Sequence, residues 1–164
     1  MEGNDPAAER VMTPLHPNQL KVLRVRTAIA MLFPLVLAVG LDLGPLRETA
    51  LPLGLVAGAA ALLALAATLV LPARRYRAWG YAEAGDELHV SHGLLVRVRT
   101  IVPFGRVQHI DVAQGPVERR YGVATLILHT AGTRGAAVPL PGLAQPDAER
   151  MRDRIRAKIR QGLA

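Results

Sequence analysis

Residues 49–73 read TALPLGLVAGAAALLALAATLVLPA and contain no charged side chain. A helix needs about 20 mostly apolar residues to cross the hydrocarbon core of a bilayer. This run is long enough, and its two prolines, Pro52 and Pro72, lie near its ends, where a helix tolerates them. The stretch therefore predicts a transmembrane helix, so the protein is expected to have a membrane anchor.

A second uncharged run, residues 27–41, lies upstream of the first. As a helix it would reach only about 22 Å, so a complete span must extend through Asp42 to Leu46. A buried core helix or the apolar part of a signal peptide is the alternative for so short a run. A mostly polar stretch of 26 residues precedes it, which fits a signal peptide poorly. We predict a transmembrane hairpin of two helices over residues 27–73.

The charges that flank the hairpin predict its orientation. The basic residues are Lys21, Arg24 and Arg26 before the first run and Arg74, Arg75 and Arg77 after the second. The intervening loop holds a single basic residue, Arg47. Because cytoplasmic flanks carry the excess of Lys and Arg, we expect both termini in the cytoplasm. The expected location is a bacterial inner membrane, with residues 1–26 as a polar cytoplasmic segment.

Two pairs of glycines lie beside the predicted loop, Gly40 with Gly44 and Gly54 with Gly58. Small residues four apart allow helix backbones to approach closely. They predict packing of the hairpin against itself or of one chain against a second. Gly is also an ordinary residue of membrane helices, so the pairs need not mark a contact.

After residue 73 the pattern changes to Val and Leu alternating with charged residues, as in half-buried β-strands. Strands are predicted over residues 76–84, 87–92, 94–102, 107–114, 123–131 and 136–140. Gly122 is expected to adopt a positive φ angle between a turn at Arg119 and the most hydrophobic strand. These features predict a mainly antiparallel β domain over residues 74–164.

A helix is predicted from Pro146 to the end of the chain, because Pro is favoured in the first turn of a helix. Apolar residues recur there at three- and four-residue spacing among many arginines. They are Ala148, Met151, Ile155 and Ile159. This amphipathic helix is expected to cover one face of the sheet.

Four segments carry a family resemblance: WGY at 79–81, DELHVSHGLL at 86–95, IVPFGRVQHIDV at 101–112 and QGPVERRYGVATL at 114–126. They resemble the YdbS-like family of bacterial PH (pleckstrin-homology-like) membrane proteins. The resemblance implies a strongly bent sheet of about seven strands closed by a C-terminal amphipathic helix. It also implies a membrane-anchored module with no established enzymatic activity. Relatives of this kind are often paired with a longer membrane protein that carries repeated copies of the domain.

Composition and motifs argue against an enzyme. The chain has no cysteine, so thiol catalysis, disulfides and Cys-ligated metals are excluded. Ser91 is its one serine, and neither a nucleophile elbow nor a Gly-rich phosphate loop is present. His89 and His92 are expected on different faces, and His109 and Asp111 on a solvated polar face. No catalytic residue, metal or cofactor is therefore predicted.

The charge distribution predicts a binding role instead. Net charge is +7, and residues 74–164 carry fifteen basic and eight acidic groups. A possible basic rim is formed by Arg97, Arg99, Arg106, Arg119 and Arg120. Such a rim would bind anionic lipid headgroups or a partner, or would only be a solvated surface. A tethered domain beside an anionic leaflet explains the positive charge without nucleic acid.

We therefore predict an interaction or scaffold module at the cytoplasmic face of the inner membrane, within a membrane protein complex. The expected partners are the bilayer and another membrane protein, either a larger relative with repeated PH-like domains or a second copy of this chain. A module that senses anionic lipid is the alternative function.

Overall fold

The structure is a computed structural model that describes residues 12–49, 52–131 and 137–162. The helices are α1 (Asn18–Leu43), α2 (Leu55–Arg77), α3 (Pro116–Tyr121) and α4 (Gln145–Gly162). Short 3-10 turns occupy Pro45–Glu48 and Phe104–Arg106. The strands are β1 (Gly80–Ala84), β2 (Glu87–His92), β3 (Val98–Pro103), β4 (Val107–Ala113), β5 (Val123–Thr130) and β6 (Ala137–Ala144).

Helices α1 and α2 form the predicted hairpin, and both are long and apolar enough to cross a membrane. Only 11% of the most apolar window of α1 and 6% of that of α2 is buried. A core helix of a soluble domain would be mostly buried. Here the side chains of Phe33 and Leu63 are exposed, at 78% and 71%. Helix α1 begins at Asn18, well before the uncharged run, and continues through Pro34.

The β domain consists of two three-stranded antiparallel sheets, in the orders β1-β2-β3 and β4-β5-β6. The described residues therefore form six strands, and the expected number of about seven is not observed. Thr13 adds one isolated bridge to the outer side of β1, through two backbone hydrogen bonds with Tyr81 of 2.7 and 3.0 Å.

Four predictions for the β domain are wrong. The strand predicted over residues 136–140 extends to Ala144. The strand predicted from residue 76 begins at Gly80, because α2 continues to Arg77 and closes with a hydrogen bond from the Ala78 N–H to the Arg74 carbonyl. The strand predicted from residue 94 begins at Val98, since Gly93 turns the chain with a φ of 118°. The turn predicted at Arg119 is the short helix α3.

The core lies between the two sheets and α4. Its fully buried members include Leu88, Val90, Leu126, Leu128 and Leu140. The stripe predicted on α4 is confirmed, because Ala148, Met151 and Ile155 are at most 3% exposed and Ile159 packs at their edge. Trp79 packs against the same core and is partly buried.

Residues before α1 also belong to this core, which the sequence did not suggest. Leu15 is 2% exposed and packs with the buried residues of the β domain. The Tyr76 hydroxyl at the end of α2 donates a 2.8 Å hydrogen bond to the Leu15 carbonyl. The His16 N–H donates to the Gly142 carbonyl at 2.7 Å. Residues that precede α1 and residues at the end of α2 therefore both contribute contacts to the β domain.

Candidate interaction surfaces

A groove of about 380 Å³ runs between α4 and β4. It is lined by Val107, Gln108, His109, Ile110, Arg156, Ile159 and Arg160. Strand β4 is at the edge of its sheet and pairs only with β5 among the described strands. An edge strand presents unpaired backbone N–H and C=O groups that can hydrogen-bond an additional strand. The groove therefore combines an available strand edge with a helix wall.

The wall of the groove is basic. Arg156 and Arg160 are both exposed and form no ion pair with a carboxylate of the described residues. The other basic side chains of α4 are paired: Arg150 with Asp147, Arg152 with Asp153, Arg154 with Glu83, and Lys158 with Asp86. The positive charge of α4 that remains unpaired thus faces the groove.

Two of these surface pairs also change the proton affinity of their members. The hydrogen bond from Arg152 lowers the pKa of Asp153 below its usual range. The 2.7 Å hydrogen bond from Arg154 to Glu83 raises the pKa of Arg154. Asp153 and Arg154 therefore both remain charged throughout the physiological range.

A cluster of two histidines and one aspartate lies on the outward side of β4 and β5. The Oδ1 of Asp111 lies 2.8 Å from the Nε2 of His109, and its Oδ2 lies 3.2 Å from the Nε2 of His129. His109 and Asp111 were expected on a polar face, but His129 was missed because only the strand register places it opposite His109. No group of metal-ligating residues suited to an ion occurs in the described ranges. His89, expected on a different face from His92, is 6% exposed.

The five arginines of the predicted rim lie in separate places. Arg106 immediately precedes β4, whereas Arg119 and Arg120 follow it on α3. The seven residues of β4 separate these positions by roughly 20 Å. Arg97 immediately precedes β3 and Arg99 is its second residue, in the other sheet. All five are exposed, but they do not form one continuous rim.

Helix α3 of the β domain packs against the first apolar helix, α1. Arg26 of α1 pairs with Glu118, whose side chain is only 7% exposed. The Asn18 amide donates a 3.0 Å hydrogen bond to the Tyr121 carbonyl. Arg26, expected only as a flanking charge at the membrane, therefore also holds α1 against α3. Arg119 and Arg120 consequently lie beside the start of α1.

The glycines predicted to pack the membrane helices do not bring α1 and α2 together. A Cβ atom added at Gly40, Gly54 or Gly58 would meet no atom within 4 Å. Gly44 ends α1, and Gly54 precedes α2 with a φ of 86°. Packing of a second chain against these glycines stays a prediction.

Comparison with known proteins assigns the fold to a family. The model of the bacterial PH domain family matches residues 27–159, which include the hairpin and nearly all of the β domain. The chain belongs to the bacterial PH domain family, as its sequence pattern indicated.

The chain is also similar to the UPF0699 transmembrane protein YdbS of Bacillus subtilis (strain 168), with 37% identity over 86 residues. That alignment covers 52% of this chain and 52% of the relative, so the match spans about half the length of YdbS. No solved structure matches the chain. The family, the transmembrane relative and the two apolar helices together make this a membrane protein with a PH-like domain.

Proposed function

We propose that this protein is a non-enzymatic interaction module that binds an extended segment of a second membrane protein by strand addition to β4. The groove between β4 and α4 is the observation that carries this proposal. Strand addition obtains affinity from backbone hydrogen bonds and specificity from the side chains beside the edge. Both elements are present, since β4 is an edge strand and α4 supplies the adjacent wall.

The charge of the groove indicates the chemistry of the segment it binds. Arg156 and Arg160 form no close ion pair with a carboxylate of the described residues, so an acidic segment would provide both with a partner. A larger membrane protein with repeated PH-like domains is the partner that the family resemblance favours. A second copy of this chain is the other candidate.

The proposed site is the cytoplasmic face of the bacterial inner membrane, with both termini inside. The bridge between Thr13 and Tyr81 supports a hairpin, because it joins the residues before α1 to those after α2. The basic residues at these two ends support the cytoplasmic side.

A crosslinking experiment in cells tests the groove. A photoreactive residue replaces Gln108, which is exposed on β4, and the crosslinked peptide is identified by mass spectrometry. We expect an acidic segment of a membrane protein. The double variant Arg156→Glu/Arg160→Glu should lose most of the crosslink, whereas Arg150→Glu, on α4 but outside the groove lining, should retain it. Equal yields in both variants would contradict the proposal.

The second candidate function is sensing of anionic lipid, and it is favoured by Arg97 and Arg99. These side chains lie at the end of the first sheet that adjoins α2, because Arg99 pairs with Ser91 and Ser91 with Gly80. A photoreactive residue in place of Arg97 that crosslinks to anionic lipid, with no protein crosslink from residue 108, would favour this function over the first.

A further inference from the structure

The loop between β2 and β3, residues 93–97, exposes three consecutive apolar side chains. Leu94 is 46% exposed, Val96 is 74% exposed and Leu95 is 97% exposed. Surface loops of soluble domains are normally polar, and adjacent exposed apolar side chains mark contact sites. We call residues 93–97 the apolar loop.

The conformation of the apolar loop depends on its first residue. Gly93 has a φ of 118°, and a Cβ atom there would lie 1.9 Å from the Val96 carbonyl oxygen. The backbone therefore folds back tightly on Gly93, a geometry that no other residue type can adopt. This turn leaves Leu95 at the tip, almost fully outside the domain.

The apolar loop lies close to the point where α2 ends. Helix α2 ends at Arg77 and β1 starts at Gly80, which pairs with Ser91 of β2. The ring of Trp79, just after α2, lies 4.7 Å from that of His92, just before the loop. Since β2 is antiparallel to β1, it runs back toward α2, and the loop starts about 7 Å beyond Ser91.

The charges around the apolar loop fit the surface of a bilayer. Arg97 ends the loop, and Arg99 follows on β3. Arg74 and Arg75 are exposed at the end of α2. Apolar side chains with basic residues behind them suit insertion at the boundary between headgroups and acyl chains, where the arginines meet lipid phosphates.

We propose that the apolar loop inserts Leu94, Leu95 and Val96 into the interfacial region of the membrane leaflet at which α2 ends. This contact is separate from the groove of the proposed function. It would be a third attachment of the PH-like domain to the bilayer, after the two membrane helices, and would hold the domain in one orientation. The apolar tip predicts insertion into neutral as well as anionic bilayers, with Arg97 adding attraction to anionic ones.

The natural absence of cysteine allows a direct test with the full chain. A fluorophore is attached to Leu95→Cys in the purified protein, reconstituted in vesicles of phosphatidylcholine with or without phosphatidylglycerol. The matched control is Asp86→Cys, because Asp86 is 85% exposed in the turn at the other end of β2. We expect nitroxide lipids to quench the label at position 95 and aqueous iodide to quench it little. For the label at position 86 we expect strong quenching by iodide and little quenching by nitroxide lipids.

Two results would overturn the proposal. Equal iodide quenching at both positions would place the apolar loop in water. Protection from iodide without quenching by nitroxide lipids would mean that protein, such as a second copy, covers the loop. Replacing Leu94 and Val96 by Ser in the labelled protein should restore iodide quenching, and persistent protection would equally overturn insertion. None of these measurements involves a partner in the groove, so they are independent of the proposed function.

Discussion

The Oδ2 atom of Asp42 accepts a 2.7 Å hydrogen bond from the backbone N–H of Ala57, which joins the last turn of α1 to the first turn of α2. The first N–H groups of a helix have no partner within it, and a negative charge is favoured at that end. Asp42 is 5% exposed and satisfies both needs. The side chain of Asp42 therefore stabilises the hairpin by joining its two helices.

We expect Asp42→Ala to destabilise the hairpin by about 1 kcal/mol, the usual cost of removing a capping oxygen. Asp42→Asn should cost less, because its amide oxygen still accepts the hydrogen bond. Unfolding of the reconstituted protein in a mixed-detergent titration measures both. Glu48→Ala, at an exposed position of the connecting turn, is the control. A loss for Glu48→Ala equal to that for Asp42→Ala would argue against the cap.

Leu15→Ala should destabilise the β domain by about 2–5 kcal/mol, because it leaves a cavity among buried side chains. Leu95→Ala removes the same atoms from a position that is 97% exposed and should change stability by less than about 0.5 kcal/mol in detergent. Thermal unfolding measures the difference. A fragment that begins at Tyr76 would lack Leu15 and should be less stable still. Equal melting temperatures for the two alanine variants would show that Leu15 is not part of the core.

Gly122 has the positive φ predicted for it, at 66°. Gly122→Val should destabilise the domain by about 1–3 kcal/mol, because a β-branched residue is strained in that conformation. Gly105→Ala is the control, since no atom lies within 4 Å of the added Cβ and its φ is not in the left-handed region. Chemical unfolding compares them. A Gly122→Val protein as stable as the control would mean that the backbone relaxes there without cost.

Tyr81 is expected to make stability fall at alkaline pH. Burial, and then the charges of Asp147 and Glu83, raise its pKa above the ordinary value. The folded state therefore holds the phenol proton more tightly than the unfolded state. Its contribution is fully present below about pH 10 and is lost as pH rises through the folded pKa. Unfolding between pH 9 and 11 should show a smaller alkaline loss for Tyr81→Phe than for the natural protein. Parallel curves would exclude this residue as the cause.

The topology of the hairpin can be tested with reporter fusions. A reporter after Ala164 should report the cytoplasm, and one inserted between Leu43 and Leu46 should report the outside. The physical reason is the excess of basic residues on both flanks of the hairpin. If both reporters lie on the same side, α1 does not cross the membrane.

Local sequence pattern was enough for much of the fold. The uncharged run at residues 49–73 predicted α2, and alternation predicted β2 with the bounds that the structure has. The stripe ending at Ile159 predicted the buried face of α4. Each of these signals lies within one element, where a period of two or 3.6 residues reports which side avoids water.

The candidate sites were less predictable. The basic rim was predicted from the positions of its arginines on strands and a turn, but those positions do not show that Arg106 and Arg119 lie at opposite ends of β4. The groove was missed because it exists only once α4 lies against β4. Residues 94–97 of the apolar loop were assigned to a strand, because Val96 and Val98 share one alternating pattern, but the strand begins only at Val98.

The sequence by itself determined which segments avoid water, which two of them are apolar and long enough to cross a membrane, and the family. Only the tertiary structure decided which distant residues meet: Leu15 with Tyr76, Arg26 with Glu118, and Asp42 with Ala57. The physical reason is that burial is a property of each residue and its near neighbours, so it leaves a periodic pattern. A contact between residues far apart in the sequence depends on the fold of the whole chain. Nothing in the local sequence around Glu118 indicates that its buried carboxylate pairs with Arg26.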